Sequence, residues 1–264
     1  MTVAILATAC GPVAGSAPTI HSDPSAPAVE LTVFGAASLK SVLQGVSDAY
    51  KAAEPAVTLV VSTDSSAALR TQIEQGAPAD VFLSADTKNP QMLVDAGVAD
   101  GPATPFAANV LTIVVPAANP AGIRTPADLA KPGLKIVAAG DSVPITTYAT
   151  KLIANLASQP GYPANFPAAY SANVVSKEDN VAAIVAKIGL GEGDAGIVYV
   201  TDARSGKSIA TIEVPAAANV TATYAGVVIT ASRQQQAAKD FLAWLAGADG
   251  RAILGQFGFL PPSS

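Results

Sequence analysis

The chain has 264 residues, half of them apolar and 13% charged, with 20 Asp/Glu against 15 Lys/Arg and a formal charge of −5. That length suits one large core or two domains of about 100 residues, and the lack of any Lys/Arg cluster argues against nucleic-acid binding. The single histidine, His21, and the single cysteine, Cys10, both lie upstream of the patterned part. That placement argues against Ser-His-Asp or Cys-His nucleophiles and His/Cys zinc sites, and leaves only carboxylate chemistry open to an enzyme.

In chain order, Ala4-Ile-Leu-Ala-Thr-Ala-Cys10-Gly11 resembles the end of a bacterial lipoprotein signal, in which the cysteine is acylated and becomes the mature N-terminus. Residues 11–29, rich in Ser, Ala and Pro, read as a linker, so 1–29 is expected to be signal remnant and tether. No other segment approaches the ~20 apolar residues of a membrane span.

From residue 30 on, strands alternate with helices. Residues 31–34 read as a short buried strand. Leu39, Val42, Leu43, Val46, Ala49 and Tyr50 then recur at helical spacing. Residues 57–62 alternate as a strand, and 67–75 read as a helix ended by Gly76 with Pro78 beyond. Strand 81–84 and a helix through Met92 stopping at Gly97 follow. The pattern restarts with strand 110–115, a helix start at Pro126, strand 135–138, and a helix from Pro144 carrying Ile145, Tyr148, Leu152, Ile153 and Leu156. Val181, Ile184, Val185 and Ile188 mark a further helix. Residues 196–200, 210–214 and 221–229 read as strands, and 233–245 and 251–257 as closing helices. Repeated β-α units predict an α/β fold with mostly parallel sheets flanked by helices, and ligands beyond the carboxyl ends of the strands.

Two corners carry the chemistry. Leu31-Thr-Val-Phe-Gly-Ala-Ala-Ser38-Leu39 and Ser62-Thr-Asp-Ser-Ser66-Ala-Ala-Leu69 each break a strand at small residues, present a hydroxyl and start a helix. Unpaired N–H groups and the positive dipole end at a helix N-terminus hold an anion without a cation. The plain alternative at Ser38 and Ser66 is helix capping, and at Tyr199 a core tyrosine at a strand end.

Phe34-Gly-Ala-Ala-Ser38-Leu39, Gln72-Ile-Glu-Gln-Gly-Ala-Pro-Ala-Asp80-Val-Phe-Leu-Ser-Ala-Asp86, Glu178-Asp-Asn-Val181, Gly196-Ile-Val-Tyr199-Val-Thr-Asp202-Ala and Phe257-Gly-Phe-Leu-Pro occur in that order. Together they resemble the periplasmic molybdate-binding proteins of bacterial ABC importers, over nearly all of residues 31–261. The resemblance implies a two-lobed, type II periplasmic-binding-protein fold, with lobe I formed by 30–108 plus 221–264 and lobe II by 109–220, and with crossings near Ala108 and Val220. It also implies an oxyanion held by the hydroxyls of Ser38, Ser66 and Tyr199 and by backbone N–H groups at Ile145 and Val181. The implied ligand is molybdate or tungstate, with no cofactor and no bound metal ion. The implied partner is a membrane permease, and the protein is expected to be a monomer tethered to the cell envelope through Cys10.

Three positions depart from that pattern: Ile145 stands where a small residue is usual, Thr146-Thr147 where Gly is common, and Asp64 sits two residues before Ser66. Thr146 or Thr147 is in a position to add a donor. Asp64 is expected to face solvent or cap the following helix, because a carboxylate facing a dianion would repel it. An inward Asp64 would favour hydrogen phosphate, whose proton needs an acceptor. Sulfate or phosphate binding stays open, as does an enzyme on the same fold using Asp64, Asp86 or Asp202.

Overall fold

The computed structural model of the chain describes residues 28–262 together with Met1. Cys10, His21 and nearly all of the expected signal and tether lie outside the described residues.

The first unit runs β1 (Val29–Ala36), a 3-10 turn (Ala37–Leu39), α1 (Lys40–Ala53), β2 (Val57–Asp64), α2 (Ser66–Glu74), β3 (Val81–Ser84) and α3 (Lys88–Asp95). β1 pairs in parallel with both β2 and β3. It is buried on both faces: Leu31 and Val33 pack with Val42, Leu43 and Val46 of α1, while Phe34 joins Leu69, Ile73 and Leu93 of α2 and α3. Each such fully buried aliphatic side chain contributes roughly 1.5–3 kcal/mol. The Gly-Ala-Pro-Ala-Asp80 segment is structural. Asp80 accepts from Thr32 N at 2.7 Å and from Ser232 Oγ at 2.5 Å, tying β1 to a segment 152 residues on.

β4 (Ala99–Pro116) is the long element, running antiparallel to β9 (Thr221–Ile229) along its first part and to β7 (Ala195–Tyr199) and β8 (Ile209–Ile212) along its last. β5 (Ile136–Ala139) pairs in parallel with β6 (Val174–Glu178) and β7. The strand order is β2-β1-β3-β9-β4-β7-β5-β6, with β8 beside β4, so the two halves share one mixed sheet through β4 and β9. The expected parallel pairs hold within each half, and the antiparallel ones arise where β4 and β9 run between the halves. Helices α4 (Pro144–Ala157), α5 (Phe166–Ala172), α6 (Val181–Leu190) and α7 (Val200–Ser205) serve the second half. Helices α8 (Gln235–Ala246) and α9 (Ala248–Gln256) return to the first, where Phe241 and Trp244 each sit 5.0 Å from the Tyr50 ring of α1.

Gly196 shows why one motif position lacks a side chain. A Cβ there would lie 2.5 Å from Ile184 Cγ2 of α6 and 3.1 Å from the carbonyl oxygen of Val137 on β5. Glycine therefore lets α6 lie directly on the sheet and so fixes where its first residue, Val181, falls. The closing Phe257-Gly-Phe-Leu-Pro segment bridges back to β4, with Ala108 and Leu260 exchanging both backbone hydrogen bonds at 2.7 and 2.9 Å.

Candidate oxyanion site

Ser38 sits in the 3-10 turn after β1, and Ser66 is the first residue of α2 after β2. Ile145 and Val181 occupy the first turns of α4 and α6, and Tyr199 ends β7. The structure brings all five to one small cavity between the two halves, completed by Ala36, Ala37, Ser65, Ala85, Val143, Pro144 and Asn180. None of these is an ionised residue. Four chain segments thus aim their first turns at one point, where the N–H groups of Ile145 and Val181 lie outside the helical i→i−4 ladder. The positive dipole ends add to a field that favours an anion.

Neither serine caps its helix. The α2 cap is Ser65, whose side chain accepts from Ala68 N at 3.3 Å. Ser66 Oγ accepts from Ala85 N at 3.0 Å, which leaves its own proton free. Ser38 Oγ meets Tyr224 Oη at 2.9 Å. Tyr199 is buried and its hydroxyl has no hydrogen-bond partner among the described residues. Burial, and then the neighbouring Tyr224, Tyr148, Asp202 and Asp86, hold its pKa well above the usual tyrosine value. The group therefore remains an O–H donor.

The carboxylates are placed elsewhere. Asp64 is half-buried, outside the cavity lining, and accepts from Ser65 N at 2.7 Å and from Asn180 Nδ2 at 3.1 Å. Of the two expected placements, solvent or helix cap, Asp64 takes neither fully, because Ser65 supplies the cap and Asn180 draws the carboxylate sideways. Asp86 accepts from Ser84 Oγ at 2.8 Å and from Asn89 N and Nδ2 at 3.0 and 2.9 Å, bracing the start of α3. Asp202 is buried on α7 with Oδ2 unpartnered, and desolvation raises its pKa to about 7 against the opposing backbone N–H bonds of Tyr199 and Asp202. Thr146 does not add a donor. Its hydroxyl donates to the carbonyls of Ala139 and Gly140 at 3.1 and 2.8 Å, and Thr147 is exposed.

Ser65 and Asn180 at the cavity, and Tyr224 behind it, are the residues that sequence reasoning missed. Ser65 and Asn180 carry cap signatures, a polar residue directly before a helix. For Tyr224 no sequence signal exists beyond its place in an apolar strand.

The arrangement is a chargeless pocket of donors. A family model described as bacterial extracellular solute-binding protein matches residues 31–260. The chain belongs to this family. Members of this family are solute-binding proteins that act outside the cytoplasm, and no helix among the described residues is long and apolar enough to cross a membrane. The molybdate-binding protein ModA of Mycobacterium tuberculosis is 37% identical over 255 residues, 96% of this chain and 92% of the relative. The fold matches that of the periplasmic molybdate-binding protein of Azotobacter vinelandii with a TM-score of 0.71 at 22% identity, covering 88% of this chain and all of that one. The sulfate-binding protein SubI of M. tuberculosis matches as well, with a TM-score of 0.74 at 23% identity, covering 88% and 87%. The type II periplasmic-binding-protein fold is thus common to all three, and the fold alone does not select the anion.

Proposed function

We propose that this chain captures molybdate outside the cytoplasm and presents it to the permease of an ABC importer. The observation that carries the reading is the convergence of Ser38, Ser66, Tyr199 and the first turns at Ile145 and Val181 on one cavity free of ionised side chains. The 37% identity to a molybdate-binding relative along nearly the whole chain supports the choice of anion.

Molybdate at neutral pH is a tetrahedral dianion with no proton to give, so its site needs only donors. Charge-assisted hydrogen bonds contribute roughly 1.5–3 kcal/mol each. About half a dozen give a gross gain near 10 kcal/mol, reduced by desolvation and by closing the two halves. A sub-micromolar complex corresponds to about −8 kcal/mol, which lies within that gross gain. Sulfate offers the same charge and acceptors, so cavity size must discriminate. Tungstate matches molybdate in charge and shape and is expected to bind comparably.

In this reading residues 30–108 with 221–264 form lobe I and 109–220 form lobe II. Closure of the lobes is the signal a permease reads. The protein works as a monomer tethered through an acylated Cys10. It binds and does not turn over its ligand, a view supported by the engagement of Asp64 and Asp86 in structural hydrogen bonds away from the cavity.

Thermal unfolding with molybdate, tungstate, sulfate and phosphate in turn tests the reading. Ligand at 1,000 times its Kd adds about 4 kcal/mol, which at this size raises Tm by roughly 8–16 °C. Molybdate and tungstate should give that shift and sulfate should not. A shift with phosphate alone, or none with molybdate, overturns it.

A further inference from the structure

Behind Ser38 lies a buried polar chain that the anion cannot touch. Ser38 Oγ and Tyr224 Oη are 2.9 Å apart, although 186 residues separate them in sequence. Tyr224 stands on β9, which pairs with β3 and β4, and is caged by Phe106, Tyr199 and Phe259 with ring centroids at 6.2, 5.7 and 5.4 Å. Asn109, on β4, donates from Nδ2 to Thr201 Oγ1 at 2.8 Å. Ser38, Tyr224, Asn109 and Thr201 are all at least 97% buried, so no water competes for these groups.

The separation alone leaves the direction of the Ser38–Tyr224 bond open. Chemistry closes it. A hydroxyl has one proton and two lone pairs. A phenol is a better donor than an alkyl hydroxyl, so the Tyr224 proton points to Ser38. The reverse arrangement would turn a Ser38 lone pair toward the cavity, where it would repel an oxyanion.

We propose that Tyr224 is a positioning residue that donates to Ser38 Oγ, so that Ser38 turns its proton to the cavity and offers a protonated oxyanion one fewer acceptor lone pair. Ser66 is arranged the same way by the N–H of Ala85. The specificity this confers is against hydrogen phosphate and hydrogen arsenate, which carry a proton that must be accepted. This inference rests on the assignment of Ser38 to the anion site made above.

The test is calorimetric titration of the purified full chain at mildly alkaline pH with molybdate, sulfate, hydrogen phosphate and hydrogen arsenate. The proteins are the wild type, Tyr224→Phe, Ser38→Ala and the double variant. Tyr224→Phe keeps the ring and its aromatic contacts, and a thermal melt confirms that it folds. Removing its proton frees a Ser38 lone pair. Molybdate should then weaken about tenfold, while the affinity ratio of hydrogen arsenate to molybdate, and of hydrogen phosphate to sulfate, rises by a similar factor. In the Ser38→Ala background, Tyr224→Phe should leave those ratios unchanged. A uniform loss for all four anions in Tyr224→Phe means that the tyrosine is structural only, and overturns the proposal. Unchanged molybdate affinity in Ser38→Ala is a different failure, because it removes the site assignment itself.

Discussion

Asn180 donates from Nδ2 to Asp64 Oδ1 at 3.1 Å, joining the start of α6 to the end of β2 across 116 residues of chain. Asn180 also caps α6 through Oδ1, which accepts from Ala183 N at 3.1 Å. One side chain therefore fixes the first turn that carries Val181 and links the two halves beside the cavity.

Breaking that link should speed anion release. Asp64→Ala removes the acceptor, and a half-exposed bond to a carboxylate contributes about 1 kcal/mol after solvent screening. Stopped-flow displacement of molybdate should show a dissociation rate three- to tenfold higher. Asp64→Asn keeps an acceptor and should stay near the wild type. Equal rates in all three proteins would mean that the link has no part in closure.

Neighbouring serines should separate into two roles. Ser65→Ala loses the α2 cap and should cost about 1 kcal/mol of stability, which lowers Tm by about 2–4 °C at this size. Ser66→Ala should leave a smaller mark on stability and weaken molybdate by about tenfold, one hydrogen bond to a charged group. Melting curves and titrations of the pair decide whether the two effects divide as stated.

Tyr199→Phe should move stability and binding in opposite directions. The buried hydroxyl has no partner among the described residues, and an unsatisfied buried polar group costs about 1–3 kcal/mol. Its removal should raise the Tm of the anion-free protein by a few degrees and weaken molybdate by about tenfold or more. Because the Tyr199 pKa is pushed up by burial, molybdate affinity should not fall through tyrosine ionisation up to pH 9. A variant that melts lower and binds normally would make Tyr199 an ordinary core residue.

Asp202 should impose a pH dependence on stability. Its carboxyl titrates near 7 in the fold, above the usual 3.8, because burial disfavours the charge. The folded state therefore binds more protons between pH 4 and 7. That contribution to stability is complete below pH 4, declines as pH rises, and is gone above about pH 7, an effect on the order of a few kcal/mol. Denaturant unfolding of Asp202→Asn should lack this decline. If the wild type and Asp202→Asn show the same pH profile, the buried carboxyl is not what titrates.

Much of the fold was legible in periodicity, and the exceptions have local causes. Only 110–115 of β4 read as a strand, because Gly101, Pro102 and Pro105 interrupt the pattern. The structure places register shifts between Asp100 and Thr104 and between Pro105 and Ala107, where prolines cost no ladder bond. β6 escaped because it is an edge strand with only two apolar residues, Val174 and Val175. α5 and α7 are seven and six residues long, too short to show a helical period. At the site, the serine corners were visible as strand-to-helix junctions. Ile145 and Val181 have no chemical signature, because the family pattern assigns them only a backbone N–H. The Ser38–Tyr224 contact was invisible, since 186 residues separate the two in sequence and Tyr224 reads as one residue of an apolar strand.

In the proposed function one molybdate sits among Ser38, Ser66, Ile145, Val181 and Tyr199. A crystal structure of the protein grown with molybdate, phased on the anomalous signal of molybdenum, tests it most directly. One strong anomalous peak is expected in that cavity, within hydrogen-bond reach of the Ser38, Ser66 and Tyr199 hydroxyls. A peak elsewhere on the molecule, or an empty cavity at saturating molybdate, would contradict it.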